Sequence, residues 1–305
     1  VRVLFAGTPD VAVPSLTELL RAGHHVAAVL TRQDAPVGRK KVLTPSPVAQ
    51  EAARLGLETV KANRIDEDVV ARLDALDLDA AAIVAYGGIV PVTALTIPRH
   101  GWINLHFSLL PAWRGAAPVQ HALINGDDVT GASTFLLEEG LDTGPLFGTV
   151  TESVLTGDTS GALLERLSAS GAVLLAQTLS AIEQGRAKAF PQEGQVSLAP
   201  KLSGEDGRIR WSDPALAVKR RISGVTPEPG AWTTLSGQRF KIGPVLLRPE
   251  VTDLPPGEAS QRNGAVLVGT GSHAVELGVL QPSGRTVLAA ADWFRGAQRK
   301  DVRFE

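Results

Sequence analysis

Residues 101–115 read GWINLHFSLLPAWRG. Trp102, Ile103, Leu105 and Phe107 form an apolar run that carries Asn104 and His106 two positions apart. Side chains two apart on a strand point to the same face, so an amide and an imidazole emerge side by side. Ser108, Leu109 and Leu110 follow, and Pro111 cannot continue a central strand. The pair therefore belongs at the carboxyl end of a strand, the end at which open α/β sheets bind ligands. Downstream, Leu141-Asp142-Thr143-Gly144-Pro145 places a carboxylate in a glycine-flanked loop.

Asn104, His106 and Asp142 make a chemical set if the fold joins them. An amide can donate to a carbonyl that is becoming an oxyanion. An imidazole can move a proton near neutral pH, and a carboxylate can fix its tautomer and favour its charged form. No Ser or Cys nucleophile of the usual kind stands out, so direct transfer between two bound substrates fits better than a covalent intermediate. Asn-x-His by itself also has an ordinary structural reading: a strand-ending Asn, a satisfied core His and a turn-forming Asp.

Outward from this stretch the pattern is α/β. Residues 1–6 are a continuous apolar strand of the parallel-sheet kind. Asp10 is a candidate helix cap for a periodic segment over 11–22 that ends at Gly23. No G-x-G-x-x-G follows the first strand, so a nicotinamide cofactor is not expected. Strands are predicted at 26–30, 59–60, 80–85, 103–107, 131–137 and 147–154. Helices are predicted over 46–55, capped by Ser46, and over 66–76, 116–125 and 158–184. Strands alternating with helices imply a doubly wound, mostly parallel sheet. Three prolines and a glycine make residues 34–47 a loop with Arg39, Lys40 and Lys41 at its tip. Such a run is ordinarily a solvated face, and it can also be a phosphate contact. Tyr86-Gly87-Gly88 ends a strand, where paired glycines let a ligand approach the backbone or simply make a turn.

From residue 185 the composition turns to Gly, Pro, Lys and Gln, as in a linker. A strand is predicted at 209–211 and a short helix at 214–222. Short strands follow at 231–235, 239–247, 264–269, 274–280 and 286–289, then a short helix at 290–294. Short strands with Gly-rich turns suggest a small barrel, although periodicity alone does not separate it from a sandwich. The domain division expected is 1–190 for catalysis, 191–208 as linker and 209–305 as a second domain.

The 305 residues are 44% hydrophobic and 20% charged, an ordinary globular profile. There is no Cys, which excludes disulfides and thiolate chemistry. No apolar run reaches the roughly 18 residues of a membrane span. The chain opens directly on a strand, so no signal peptide is expected, and the absence of Met at position 1 implies a starting residue removed or omitted. A cytoplasmic location follows as the default. The histidines show no metal-ligand spacing, and no metal is expected. Residues 1–190 hold 15 Lys+Arg against 20 Asp+Glu, net −5, and residues 191–305 hold 15 against 12, net +3. That asymmetry is mild and is compatible with a polyanion as with random scatter.

Taken together, Asn104-Leu105-His106, Ser108-Leu109-Leu110-Pro111, Trp113-Arg114-Gly115-Ala116-Ala117-Pro118-Val119-Gln120 and Leu141-Asp142-Thr143-Gly144 resemble the formyltransferase family that uses 10-formyltetrahydrofolate. The resemblance covers almost the whole chain. It implies catalysis by Asn104, His106 and Asp142. It implies folate contacts from Ser108, Leu109, Leu110 and Pro111, chiefly through their backbone, and from Tyr86, Gly87 and Gly88. It also implies that the C-terminal barrel is OB-like, and Ala199-Pro200-Lys201-Leu202 resembles a signature of the family. Phe107 departs from the pattern, since many members carry Gly or Pro between the His and the Ser. A bulky ring there reshapes the pocket wall and leaves the three polar residues in place.

Members that formylate initiator methionyl-tRNA carry an inserted basic loop and a C-terminal domain of this kind. The resemblance therefore implies formyl transfer to the free amino group of that tRNA, for translation initiation, with Arg39, Lys40 and Lys41 on the acceptor arm. The partners implied are initiator Met-tRNA and tetrahydrofolate, with no membrane and a monomeric chain. Small-amine relatives, acting on a purine-pathway ribonucleotide or a nucleotide amino-sugar, share the triad but usually lack that combination. A catalytically silent tRNA-binding protein and a folate-dependent hydrolase giving formate are the other readings. The intact triad argues against the first, and only assay decides the second.

Overall fold

The strand predicted at 103–107 lies inside a seven-stranded sheet. The computed structural model describes residues 1–38, 40–297 and 302–305. In chain order the elements through the sheet are β1 (Arg2–Gly7), α1 (Val13–Arg21), β2 (His25–Thr31), β3 (Ala35–Val37), β4 (Val42–Thr44), α2 (Pro47–Arg54) and β5 (Thr59–Lys61). Then come α3 (Glu67–Asp74), β6 (Ala80–Val84), α4 (Val92–Leu95), β7 (Trp102–His106), α5 (Pro118–Asn125), β8 (Val129–Leu136), β9 (Leu146–Ser153) and α6 (Ser160–Glu183). The sheet order is β5-β2-β1-β6-β7-β8-β9. Neighbours from β5 to β7 pair in parallel, and β8 and β9 add antiparallel. The chain proceeds from β1 toward β5 on one side and from β6 toward β9 on the other. Its topological switch point is therefore between β1 and β6, where ligands of open α/β sheets bind.

One face of this sheet buries Leu4, Ala6, Leu30, Ile83, Tyr86 and Trp102 in one cluster with Leu73 of α3 and Ala94 of α4. The Trp102 indole donates from Nε1 to the Ala94 carbonyl at 2.8 Å, so its one polar atom is satisfied where water is absent. Ser46 caps α2, its hydroxyl accepting from the Ala49 amide at 3.0 Å. Asp10 does not cap α1. The chain enters that helix through a 3₁₀ turn at Asp10–Ala12, with Pro14 in the helix's first turn, and the Asp10 carboxylate takes the adjacent Val11 amide instead.

The predicted loop at 34–47 is a hairpin: β3 and β4 pair antiparallel with Pro36 opposite Leu43. The two strands form a sheet of their own, so Pro36 lies on an edge, where its missing N–H costs no ladder bond.

Contacts divide the chain into two units. The first comprises Val1–Pro118, Val129–Ser153 and Leu164–Ala199, and the second Val119–Asp128, Val154–Leu163 and Pro200–Glu305. Residues 191–199, from the stretch that reads as linker, thus belong to the first unit.

The second unit continues with α7 (Ala215–Gly224), β10 (Trp232–Leu235), β11 (Gln238–Ile242), β12 (Val245–Arg248), β13 (Glu258–Arg262), β14 (Ala265–Val268), β15 (Ala274–Leu277), β16 (Val279–Pro282), β17 (Leu288–Ala289), α8 (Ala290–Ala297) and β18 (Val302–Arg303). All its strand pairs are antiparallel, in two sheets ordered β10-β11-β16-β17 and β12-β15-β14-β13-β18. The described strands form no closed barrel.

Two runs predicted as single strands are each broken in two. Residues 239–247 split at Gly243-Pro244 and residues 274–280 at Gly278, and the halves join different sheets. Such bends let a strand leave one sheet for another. Residues 209–211, predicted as a strand, are irregular. A turn closed by the Asp213 amide on the Arg210 carbonyl leads directly into α7. The core of this unit gathers Trp211, Phe240 and Phe304, with Trp293 packed against them.

Candidate active site

Asn104 and His106 share one face of β7, and His106 is its last residue. Asn104 stands opposite Phe135 of β8, and the His106 ring meets Phe135 edge-on at a centroid distance of 6.5 Å. His106 is buried at 7% exposure, while Asn104 is only partly so. No described residue hydrogen-bonds the Asn104 side chain, which leaves its amide donors available.

Two loops close on His106. From the chain just after β7, the Trp113 carbonyl lies 2.9 Å from Nε2. A carbonyl only accepts, so Nε2 carries the proton and the Nδ1 lone pair is the free basic site. From the loop after β8, Asp142 Oδ2 lies 3.7 Å from Nδ1. That is beyond a hydrogen bond but well within the range of strong charge interaction in a buried site. Burial holds the His106 pKa below its ordinary value, with Asp142 and the Trp113 carbonyl pulling against it. The resting imidazole is therefore neutral, and a proton gained at Nδ1 faces the carboxylate.

Asp142 is fixed from two sides. Its Oδ2 accepts from the Gly115 amide at 2.7 Å. Its backbone has φ +50°, left-handed, and its carbonyl accepts from Gln192 Nε2 at 2.7 Å. Gly115 itself has φ +127°, and a Cβ there would lie 2.6 Å from the Ala199 carbonyl oxygen. Only glycine admits that approach.

The remaining predicted residues fall as follows. Ser108 is buried and its hydroxyl donates to the Ala112 carbonyl at 2.6 Å. The Ser108 carbonyl accepts from Ser133 at 2.7 Å, and the Leu110 amide donates back to that hydroxyl at 3.2 Å. The loop from Ser108 through Leu109, Leu110 and Pro111 is thus pinned from beneath by β8. Phe107 is buried and belongs to the interior. Tyr86 is buried in the sheet core, its hydroxyl donating to the Ala62 carbonyl at 2.7 Å. A pocket contact from it is therefore confined to its backbone. Its carbonyl is tied to Thr8 across the switch point at 2.8 Å. Gly87 is exposed and its carbonyl accepts from Arg32 Nη1. Lys40 and Lys41 are exposed at the hairpin tip, and Arg39 lies outside the described residues.

Sequence reasoning missed Gln192 and Ser197. They lie in a strip that crosses residues 111–117, with the Trp113 amide donating to Ser197 Oγ at 2.9 Å. Arg114 also bridges Leu198 in parallel, its amide donating to the Ser197 carbonyl at 2.9 Å and its carbonyl accepting from the Ala199 amide at 2.7 Å. A polar, proline-containing composition hid the strip, and no local signal marks it. Among the described residues no three or more His, Cys, Asp or Glu are placed to hold a metal, and no helix is long and apolar enough to cross a membrane.

The family model described as "Formyl transferase" matches residues 1–179, and "Formyl transferase, C-terminal domain" matches 201–298. The chain is 69% identical over 295 residues to a protein of Arthrobacter sp. (strain FB24) named methionyl-tRNA formyltransferase, covering 97% of this chain and 96% of that one. It is 67% identical over 305 residues, 100% of both chains, to the protein of the same name in Paenarthrobacter aurescens. Among solved structures, HypX from Aquifex aeolicus in complex with tetrahydrofolic acid superposes with a TM-score of 0.66 at 17% identity. That match covers 96% of this chain and 46% of HypX, a likeness of fold.

Proposed function

The chain belongs to the formyl transferase family, and on that premise we propose that Asn104, His106 and Asp142 carry out its transfer step. The reaction is formylation of methionyl-tRNA for translation initiation. The donor we assign is 10-formyltetrahydrofolate and the acceptor is the free amino group of the initiator tRNA's methionyl residue. In this reading the amine attacks the formyl carbon and a C–N bond forms. Asn104 donates to the tetrahedral oxyanion. His106 Nδ1 takes the ammonium proton, and Asp142 stabilises the imidazolium so formed. The proton then passes to the folate nitrogen as its bond to the formyl carbon breaks.

The loop of Ser108, Leu109, Leu110 and Pro111, with the backbone of Tyr86, Gly87 and Gly88, is assigned to the folate. Arg39, Lys40 and Lys41 are assigned to the acceptor arm. The C-terminal part, 209–305, is assigned to tRNA binding and an OB-like character, and 1–190 to catalysis. The reaction belongs in the cytoplasm, with a monomer as the working species.

The observation that carries the chemistry is the neutral, buried His106 held between the Trp113 carbonyl and Asp142, beside an unengaged Asn104. The test is a formylation assay with 10-formyltetrahydrofolate against initiator Met-tRNA, elongator Met-tRNA and free methionine. Initiator formylation far above the other two is expected. Equal use of free methionine would point to the small-amine reading. Formate released without acceptor would point to the hydrolase.

A further inference from the structure

We propose that Gln192 is a positioning residue for the transfer, locking together the two loops that serve His106. The inference rests on the triad reading above and assigns a catalytic duty to a segment that looks like a linker.

One amide makes four hydrogen bonds. Gln192 Oε1 accepts from Arg114 Nε at 3.1 Å and from Nη2 at 2.7 Å. Its Nε2 donates to the Asp142 carbonyl at 2.7 Å and to the Gly144 carbonyl at 2.8 Å. The orientation is chemically fixed, because a guanidinium only donates and carbonyls only accept. One end therefore holds the 113–115 loop through Arg114, and the other holds the 142–144 loop. The two loops supply the groups that act on His106: the Trp113 carbonyl on Nε2 and the Asp142 carboxylate on Nδ1. They also meet directly where the Gly115 amide holds Asp142 Oδ2 at 2.7 Å. Gln192 closes a ring around the imidazole from outside, without a hydrogen bond to β7 among the described residues.

The clamp acts where the backbone needs it. Asp142 keeps a left-handed conformation, which Asp tolerates better than most L-residues but which its own side chain does not hold in place. The bond to its carbonyl fixes the peptide on which that turn depends. A 3.7 Å approach between Asp142 and Nδ1 is longer than a hydrogen bond and has no directional bond of its own to keep it. The distance is set by the loops, so whatever fixes the loops tunes the share of the Nδ1 proton affinity that Asp142 supplies, beside the larger effect of burial.

The experiment compares wild type, Gln192→Ala, Gln192→Glu, Asp142→Asn and Gln192→Ala with Asp142→Asn. Formylation of initiator Met-tRNA is followed across pH, with thermal unfolding on each protein. Gln192→Glu keeps the volume and the Arg114 end while turning a carboxylate onto two carbonyls, so it serves where the alanine variant fails to fold. The expected result is a kcat lower by about ten- to a hundredfold, with both KM values within about twofold. In Gln192→Ala the His-dependent limb should move to lower pH, the direction that weaker contact with Asp142 dictates, and in Gln192→Glu it should move less far, because the added carboxylate pulls the other way. Adding Gln192→Ala to Asp142→Asn should cost little more, since both act through one group.

A folded Gln192→Glu with wild-type kcat and an unmoved limb overturns the proposal, as does full additivity in the double variant. A limb that moves with Asp142→Asn and with neither Gln192 variant overturns this inference alone. A limb that Asp142→Asn leaves in place removes the triad reading, and this inference with it.

Discussion

At His106 two opposing effects set the chemistry. Burial disfavours the charged ring, and the Asp142 carboxylate and Trp113 carbonyl favour it; burial prevails. A lowered pKa means the imidazole is neutral and able to accept a proton through the neutral range. The limb of the wild-type rate profile that reports it should therefore lie on the acid side of about 6.5. Asp142→Asn removes a charge that raises this pKa, so the limb should shift further toward acid as the rate falls. A lower rate with an unmoved limb would make Asp142 a spacer. Asn104 allows an independent check. Asn104→Ala should lower kcat by ~10²–10³ and leave thermal stability close to wild type, since no described residue depends on its side chain. Near wild-type turnover would take Asn104 out of the reaction. That Asn104 and His106 share a face was legible in the sequence from period-two spacing, whereas the choice of Asp142 as their partner came from the resemblance to the family, because Asn-x-His alone has an ordinary structural reading. Gln192 was legible from neither. Its partners are backbone carbonyls and a guanidinium 48 to 78 positions away, and no spacing rule reaches that far.

At the scale of elements, the parallel strands could be read because buried strands are continuous apolar runs. Breaks and additions were harder. The β3–β4 hairpin hid behind its prolines, and β13 (Glu258–Arg262) behind a polar sequence, its strand state coming from pairing with β14 and β18. Tertiary pairing overrode local propensity there. The 142–144 loop gives the sharpest element-level test. A Cβ on Gly144 would fall 1.7 Å from the Leu136 carbonyl oxygen at the end of β8, a clash that only movement of the loop backbone relieves. Gly144→Ala should shift this loop away from β8, costing on the order of 1–3 kcal/mol of stability. Turnover should fall by more than that loss of folded protein explains. Unfolding curves and kcat on the same preparation decide it. A variant with the melting temperature and kcat of wild type would show that the loop has slack.

Over the whole molecule the charge is nearly balanced, −2 in 305 residues, which gives no general attraction for a polyanion. A tRNA partner must then be held by local cation clusters, and these are what salt dependence measures. The first 190 residues are net −5 by the count above, so the hairpin tip is a basic exception on an acidic background. Its Lys40 and Lys41 are exposed, and neither makes an ion pair among the described residues. Each phosphate they neutralise adds about 0.9 to the log–log salt slope on duplex and about 0.7 on single strands. Replacing both with Ala should flatten the slope for tRNA binding by roughly one to two units and leave tetrahydrofolate binding unchanged, since folate is assigned to the Ser108–Pro111 loop. The same variant separates binding from catalysis. If the tip only attracts the tRNA, single-turnover formylation at saturating tRNA stays at the wild-type rate. If it also holds an acceptor end opened toward His106, that rate falls too, because the contact exists only in the state that reacts. A slope and a rate both identical to wild type would leave the hairpin a solvated run, with tRNA recognition resting on the second unit.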